Sequence, residues 1–278
     1  MTRHMNIWTR RAFVAGSLAL LGACSTPTGM GSAKSAAPSA ANANEVRVIS
    51  SGGFTAAYKT LAPLYEAAGG VKIVSSYGAS IGNAPDSIPS RLARGEKFDI
   101  VILADNGLEA LVRQGKVAGG SRVDLGRSLI GASVKKGTPK PDISTVPALK
   151  NALLNAKSIA YSASASGTYL SEELFPKLGV AERTKVTAKK IMSERVGAVV
   201  ARGDAELGFQ QASELLPFTE LDYLGPIPDE VQQKVFFSAG VMQDAPNPEG
   251  ARRFIRYLAS PAAAGVIKDT GLDPVAKP

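Results

Sequence analysis

Apolar and polar positions from residue 45 onward follow two alternating periodicities. The run 46–49 is short, mostly apolar and rich in β-branched residues, as expected of a buried strand. Phe54, Tyr58 and Leu61 then recur at the spacing of one helix face. Further strand-like and helix-like segments follow in the same order, which predicts an α/β protein with parallel strands covered by helices. Pro63 interrupts the first helical pattern and predicts a kink or two short helices.

The alternating units form two successive sets, and the last strand and helices return to the first set. We expect one lobe to comprise residues 45–126 plus 237–278 and the other to comprise residues 127–236. The chain would cross between the lobes near 127–134 and return near 235–241. Ligands of such proteins bind in the cleft where the carboxyl ends of strands meet the amino ends of helices.

The amino-terminal residues have the features of an export signal. Paired arginines at 10–11 precede an apolar run, 12–21, that is too short to span a membrane. They resemble a twin-arginine signal, and the motif LGAC resembles a bacterial lipobox. We therefore expect a signal peptide at 1–23, lipidation of Cys24, a flexible tether at 24–44, and a periplasmic location at a membrane. The alternative is ordinary signal cleavage that leaves Cys24 without a role.

Composition excludes several kinds of chemistry. The single histidine is His4 and the single cysteine is Cys24, so the exported domain has no imidazole and no free thiol. Catalytic triads that use histidine, Cys-His pairs and His-ligated zinc are excluded. Neither the GxGxxG nor the GxxxxGK[ST] motif occurs. We expect neither a cofactor nor a metal, and any proton transfer must use Asp, Glu, Lys, Tyr or Ser.

Net charge points to a small anionic ligand. The chain has a formal charge of +8, and removal of the signal, which holds three arginines and no acid, leaves about +5. Nucleic-acid binding would need a clustered basic patch, which is not evident. We therefore expect no nucleic-acid partner, and we expect a monomer.

Four turns rich in serine and glycine follow predicted strands or begin predicted helices, at 50–53, 78–82, 162–167 and 193–197. Backbone N–H groups at helix starts bind anions, and glycine lets a ligand approach the backbone closely. The alternative is a set of ordinary βα turns with no ligand. The double glycine at 52–53 predicts room for a ligand wider than a tetrahedral oxyanion. The candidate ligand-binding residues are Ser51, Gly52, Gly53, Ser80, Ser166, Gly167, Arg195, Val196 and Gln211.

Five segments resemble the periplasmic molybdate-binding protein family: VSSYGAS, LARGEKFDIVILAD, SGTYLSEEL, VGAVVARGDAELGF and RRFIRYLASPAAAGVI. The resemblance implies an α/β, two-lobed periplasmic-binding-protein (type II) fold with a ligand cleft between the lobes. By motif, it implies anion contacts at Gly53, Ser80, Ser166, Val196 and Gln211. The family usually has a hydroxyl at position 53 and a tyrosine at position 211. Two donors, each worth about 1 kcal/mol, are therefore missing. An amide at 211 suits a carboxylate or a carbonyl, which favours a larger organic anion over molybdate.

A further set of motifs, including IPSRLARGE, SRVDLGRS and GAVVARGDAELGFQQASEL, is similar to bacterial aconitate isomerases. This resemblance implies an enzyme that interconverts cis- and trans-aconitate by an allylic proton shift. Arg91 and Arg195 are candidates for binding substrate carboxylates. The proton-transferring residue stays open, with Tyr169 and Glu194 as guesses. The alternative is a solute-binding lipoprotein that delivers molybdate-like oxyanions or small organic acid anions to an ABC permease.

Overall fold

The computed structural model describes residues 44–275. In chain order the strands are β1 (Glu45–Ser51), β2 (Lys72–Gly78), β3 (Ile100–Ala104), β4 (Val123–Ser128), β5 (Ile130–Lys135), β6 (Ile159–Ser162), β7 (Ala188–Ile191), β8 (Leu207–Gln211), β9 (Leu221–Pro226), β10 (Val235–Val241) and β11 (Asp273–Pro274). The helices are α1 (Gly52–Ala67), α2 (Ile88–Ala93), α3 (Asp105–Arg113), α4 (Val146–Asn155), α5 (Ala165–Tyr169), α6 (Phe175–Lys177), α7 (Ala181–Thr187), α8 (Val196–Arg202), α9 (Ala212–Leu215), α10 (Pro248–Leu258) and α11 (Pro261–Asp269). A π-helical turn, Leu170–Leu174, joins α5 to α6, and a 3₁₀ turn, Asp229–Val231, precedes β10.

The strands form two separate sheets. The first sheet has the order β11-β4-β10-β3-β1-β2, and the second has the order β7-β6-β8-β5-β9. Strand β1 runs parallel to β2 and β3, and β6 runs parallel to β7 and β8. The chain passes to the second sheet between β4 and β5 and returns between β9 and β10. We call each sheet with its helices a lobe. The predicted two-lobed α/β class is confirmed, whereas the predicted residue limits of the lobes stay a prediction.

The first lobe is built on the helical face predicted from the sequence. Phe54, Tyr58 and Leu61 of α1 are at most 1% exposed, and the Tyr58 ring meets Phe254 of α10 edge-on with centroids 6.2 Å apart. The predicted alternative of two short helices is wrong, because α1 is a single helix, whereas the predicted kink at Pro63 stays a prediction. Pro63 and Lys59, one turn before it, both face solvent, where water can satisfy the carbonyl that loses its N–H partner.

The predicted signal peptide, lipidated Cys24 and most of the tether lie outside the described residues. Within residues 44–275, no helix has the length and apolar character needed to cross a membrane.

Candidate functional site

A cleft of about 190 Å³ lies between the two lobes. The carboxyl ends of parallel strands lie at one edge of their sheet. The loops after β1 and β2 in the first lobe and those after β6, β7 and β8 in the second both contribute residues to the cleft. Residues from both sides line the cleft, among them Gly52, Ser80, Ser166, Arg195 and Gln211. Drug-sized ligands usually occupy pockets of roughly 300–1,000 Å³. The smaller volume here suits a compact solute.

The first turn places a helix start at the cleft. The last four residues of β1 are buried, and the last of them, Ser51, has an extended backbone and is directly followed by α1. The Thr55 hydroxyl donates to the Ser51 carbonyl at 2.9 Å. The buried Ser51 hydroxyl has no hydrogen-bond partner within the described part of the chain. Ser51 lies behind the cleft surface, whereas Gly52 and Gly53 line it.

The double glycine does not leave the empty volume that the sequence suggested. A Cβ on Gly52 would lie 1.9 Å from a carboxyl oxygen of Glu214, and a Cβ on Gly53 would lie 1.9 Å from the ring of Phe237. Both distances are far below van der Waals contact. Side chains of the protein therefore occupy the space in which we expected a wide ligand. Glycine is needed at these two positions so that Glu214 and Phe237 can pack against the start of α1.

Glu214 is the acidic residue buried in this cleft. It belongs to α9, which begins directly after β8, and it is 9% exposed. The Gln210 amide donates to its Oε1 at 3.0 Å. Burial raises the pKa of Glu214 to about 7, although the charge of Arg195 and the Gln210 hydrogen bond oppose the rise. Near neutral pH this carboxyl is thus divided between its acid and its carboxylate form.

Gln210 links Glu214 to the amino end of α8. Its Oε1 accepts the Val196 N–H at 3.1 Å while its amide nitrogen donates to Glu214. The Val196 N–H, predicted to contact a ligand, is therefore already paired in the structure, and Val196 is not among the cleft-lining residues. Arg195, the N-cap residue of α8, does line the cleft. Its guanidinium has no hydrogen bond or ion pair with any other described residue.

Gln211 is a buried polar residue of the cleft whose side chain lacks a hydrogen-bond partner. It is 2% exposed, it lines the cleft, and neither its Oε1 nor its Nε2 has a hydrogen-bond partner within residues 44–275. Leaving both atoms unpaired is costly unless a ligand pairs with them. By contrast, the Ser80 hydroxyl accepts the Ala104 N–H at 3.0 Å. The Ser166 and Ser162 hydroxyls are bonded to each other at 3.1 Å.

Several predicted site residues lie elsewhere or are already paired. The guanidinium of Arg91 bonds Glu96 and the Tyr77 carbonyl, outside the cleft. The hydroxyl of Tyr169 donates to the Val231 carbonyl at 2.7 Å, also away from the cleft. Gly167 packs under the Ser162 carbonyl, which a Cβ would meet at 1.6 Å.

Glu194 does line the cleft, but its exposed carboxylate pairs with Arg202 through two hydrogen bonds. That pairing lowers the pKa of Glu194, so the carboxylate is a poor proton acceptor. The ligand-binding and catalytic roles proposed from the sequence stay predictions.

Sequence reasoning missed Glu214 because the segment QQASEL looks like an ordinary short helix. One available signal was its position. Glu214 lies three residues after the end of a strand that was itself predicted to reach the cleft. The packing of Phe237 against Gly53 had no such signal, because it joins residues far apart in the chain. In the described part of the chain, no group of three or more His, Cys, Asp or Glu side chains could hold a metal ion.

Comparisons with known proteins agree with this architecture. The family model described as bacterial extracellular solute-binding protein matches residues 46–273. An aconitate isomerase from Pseudomonas sp. is 47% identical over 228 residues, which cover 82% of this chain and 87% of that protein. The molybdate-binding protein ModA of Azotobacter vinelandii is 28% identical over 244 residues, covering 84% of this chain and 91% of that protein.

Solved structures agree as well. The periplasmic molybdate-binding protein of Azotobacter vinelandii has a TM-score of 0.66 with this chain at 20% identity, covering 82% of this chain and 98% of that one. This likeness shows the shared fold.

Proposed function

Because this chain belongs to the family of bacterial extracellular solute-binding proteins, we propose that it is an isomerase built on that scaffold. Its substrates are cis- and trans-aconitate, and its reaction moves a proton and a double bond along the carbon chain. The 47% identity with an aconitate isomerase over most of both chains supports this activity. The negative charge that develops on the substrate carboxylates during the shift must be stabilised by hydrogen-bond donors of the protein.

The observation that supports a carboxylate substrate most directly is the unpaired amide of Gln211. It is buried in the cleft and offers both a donor and an acceptor. The free guanidinium of Arg195 adds a planar, charged donor that suits a carboxylate. A tricarboxylate would occupy both groups at once and would remove the cost of the unpaired amide.

The direct test is to add purified protein to cis-aconitate and follow trans-aconitate by proton NMR. We expect the two isomers to reach the same final ratio from either starting compound, because a catalyst changes only the rate. Stoichiometric binding without turnover would contradict the proposal and would leave a receptor.

A matched pair of arginine variants on α8 tests the carboxylate contact. Arg195→Gln should raise KM or Kd for aconitate by about tenfold or more, since a charge-assisted hydrogen bond is worth about 1.5–3 kcal/mol. Arg202→Gln is the control, because Arg202 lies at the exposed end of the same helix and pairs with Glu194 and Asp204. Equal effects of the two changes would mean that net charge alone attracts the substrate.

The second candidate function is a solute receptor of an ABC importer, supported by the relationship with a molybdate-binding protein. The cleft favours it less, because the unpaired, buried amide of Gln211 suits a carboxylate better than it suits a tetrahedral oxyanion. Calorimetric titration with molybdate and with aconitate separates the two functions. Tight binding of molybdate with none of aconitate would establish the receptor.

Export and membrane anchoring belong to the same proposal. The extracellular location of the family supports export to the periplasm, and the LGAC motif supports lipidation of Cys24 and attachment to a membrane. We also propose that the exported protein is a monomer. Mass spectrometry of the mature protein tests the anchor, since a mature amino terminus beyond Cys24 would contradict it.

A further inference from the structure

We propose that Glu214 is the catalytic residue that removes the allylic proton and returns it to the isomerised product. This inference rests on the proposed function and names the group that performs its chemistry. It replaces the two guesses made from the sequence, Tyr169 and Glu194.

Geometry places this carboxyl where a substrate must lie. Glu214 lines the cleft together with the unpaired amide of Gln211 and the free guanidinium of Arg195. Its Oε1 lies against Gly52, where any side chain would displace it. The same oxygen also accepts from the Gln210 amide, so two contacts hold the carboxyl at the edge of the cleft. A base held beside the bound substrate is what proton abstraction requires.

The other acids at the cleft are less suitable. Asp86 and Glu194 line the cleft but are exposed. The carboxylate of Glu194 also forms an ion pair with Arg202. Among the described residues, Glu214 is the one buried acid at the cleft. The pKa of about 7 makes its carboxylate a stronger base than an ordinary glutamate and still leaves part of the population ionised at neutral pH. The one charged group that opposes this rise is Arg195.

The proposed reaction removes one proton from the substrate and returns one proton to it. The Glu214 carboxylate takes a proton from the methylene carbon of aconitate and becomes the neutral acid. The electron pair of the broken C–H bond spreads over the neighbouring double bond and its carboxylate. The neutral Glu214 then gives a proton to the former vinylic carbon, and the double bond now joins the central carbon to the former methylene carbon. The carboxylate is regenerated, and no proton is gained or lost.

The test is Glu214→Gln in the full exported chain, with Glu182→Gln on exposed α7 as the matched control. We expect kcat of Glu214→Gln to fall by about 10²–10⁴-fold. Its Kd for aconitate by calorimetry should stay the same or decrease, because a negative charge beside a trianion is removed. Glu182→Gln should change neither value. An unchanged kcat in Glu214→Gln would overturn the inference.

A pH profile separates a chemical role from a structural one. In the wild type, kcat/KM should increase as pH rises through about 7, because the free enzyme needs Glu214 ionised. Glu214→Gln should lose this increase, and Glu214→Asp should keep it at a lower rate. Retention of the same pH dependence in Glu214→Gln would overturn the role.

The two proposals fail in different ways. If the wild type does not isomerise aconitate, the proposed function is wrong and this inference with it. If the wild type turns over but Glu194→Gln, and not Glu214→Gln, abolishes turnover, only the assignment of the base is wrong.

Discussion

Two buried carboxyls, Asp99 and Glu214, have opposite surroundings. Asp99 is 1% exposed in the first lobe, and it accepts the Arg47 N–H at 2.7 Å and the Asn247 N–H at 2.5 Å. It thereby joins β1 to the turn that begins α10. Glu214 receives a single neutral amide at 3.0 Å and borders the cleft. Burial is similar in the two cases, but pairing is not.

The difference shows which interior acids are structural. A carboxylate that accepts two backbone N–H groups is stabilised in its charged form and holds segments together. A carboxylate that is buried with one neutral donor keeps much of its desolvation cost, and that cost appears as a raised pKa. Costs of this kind cluster at functional sites.

The largest expected contrast is in the pH dependence of stability. Glu214 has its pKa raised from 4.5 to about 7 in the folded state, so the folded chain keeps a proton that the unfolded chain loses. Wild-type stability should therefore fall as pH rises from about 4.5 to 7, and Glu214→Gln should escape this loss. Above pH 7 the variant should be more stable by about 3 kcal/mol. Urea unfolding at pH 4 and pH 8 measures the gap, and an equal gap at both values would contradict the raised pKa.

Asp99→Asn should destabilise the protein, whereas Glu214→Gln should stabilise it above pH 7. The new amide group faces a backbone N–H that then has no acceptor, so we expect a loss of about 2 kcal/mol in the free energy of unfolding. Turnover of the folded variant should be unchanged, because Asp99 lies away from the cleft. A variant that is stable but inactive would show that the two carboxyls do not differ as we describe. Urea denaturation measures the free energy of unfolding, and the NMR assay measures turnover.

A smaller effect is expected at the glycine that holds Glu214 in position. Gly52→Ala would push a methyl group into the carboxyl, which should cost roughly 1.5 kcal/mol and reduce kcat more than binding. Gly265→Ala on α11 is the matched control, because open space surrounds that position. It should stabilise the protein by about 0.5–1 kcal/mol, since alanine favours helix. Similar outcomes for the two variants would show that Glu214 moves aside without consequence.

The smallest effect concerns the attachment of α9 to the first lobe. The Ser213 hydroxyl donates to the Gly53 carbonyl at 2.7 Å in a buried contact between the lobes. Ser213→Ala should cost about 1 kcal/mol. Ser171→Ala is the control, since its hydroxyl donates to a carbonyl of its own helical segment, and it should cost less. Thermal unfolding of both variants measures the difference.

Much of the fold could be predicted because the patterns are local. The buried face of α1 and the alternation of strands and helices follow from residues within one element. The continuity of α1 through Pro63 could not be predicted from the sequence. It depends on whether the unpaired carbonyl faces solvent, and only the packed structure shows that.

The site was predicted only in part. Four turns were expected at the cleft, and residues such as Ser80, Ser166 and Gln211 do lie there. Burial of Glu214 against Gly52 could not be foreseen, because these residues are 162 positions apart and meet only when the lobes come together.

The strand order of the first sheet also has a consequence for assembly. Strand β10 lies between β3 and β4, although it follows both of them by more than a hundred residues. All strands of the second sheet lie between Ile130 and Pro226 and are therefore synthesised together. The second lobe can close on itself during synthesis, while β3 and β4 keep unpaired edges until Val235–Val241 arrives. Completion of the first lobe is thus the late, non-local step, and a chain that stops before residue 235 would leave β4 without a strand partner and one edge of β3 open to aggregation.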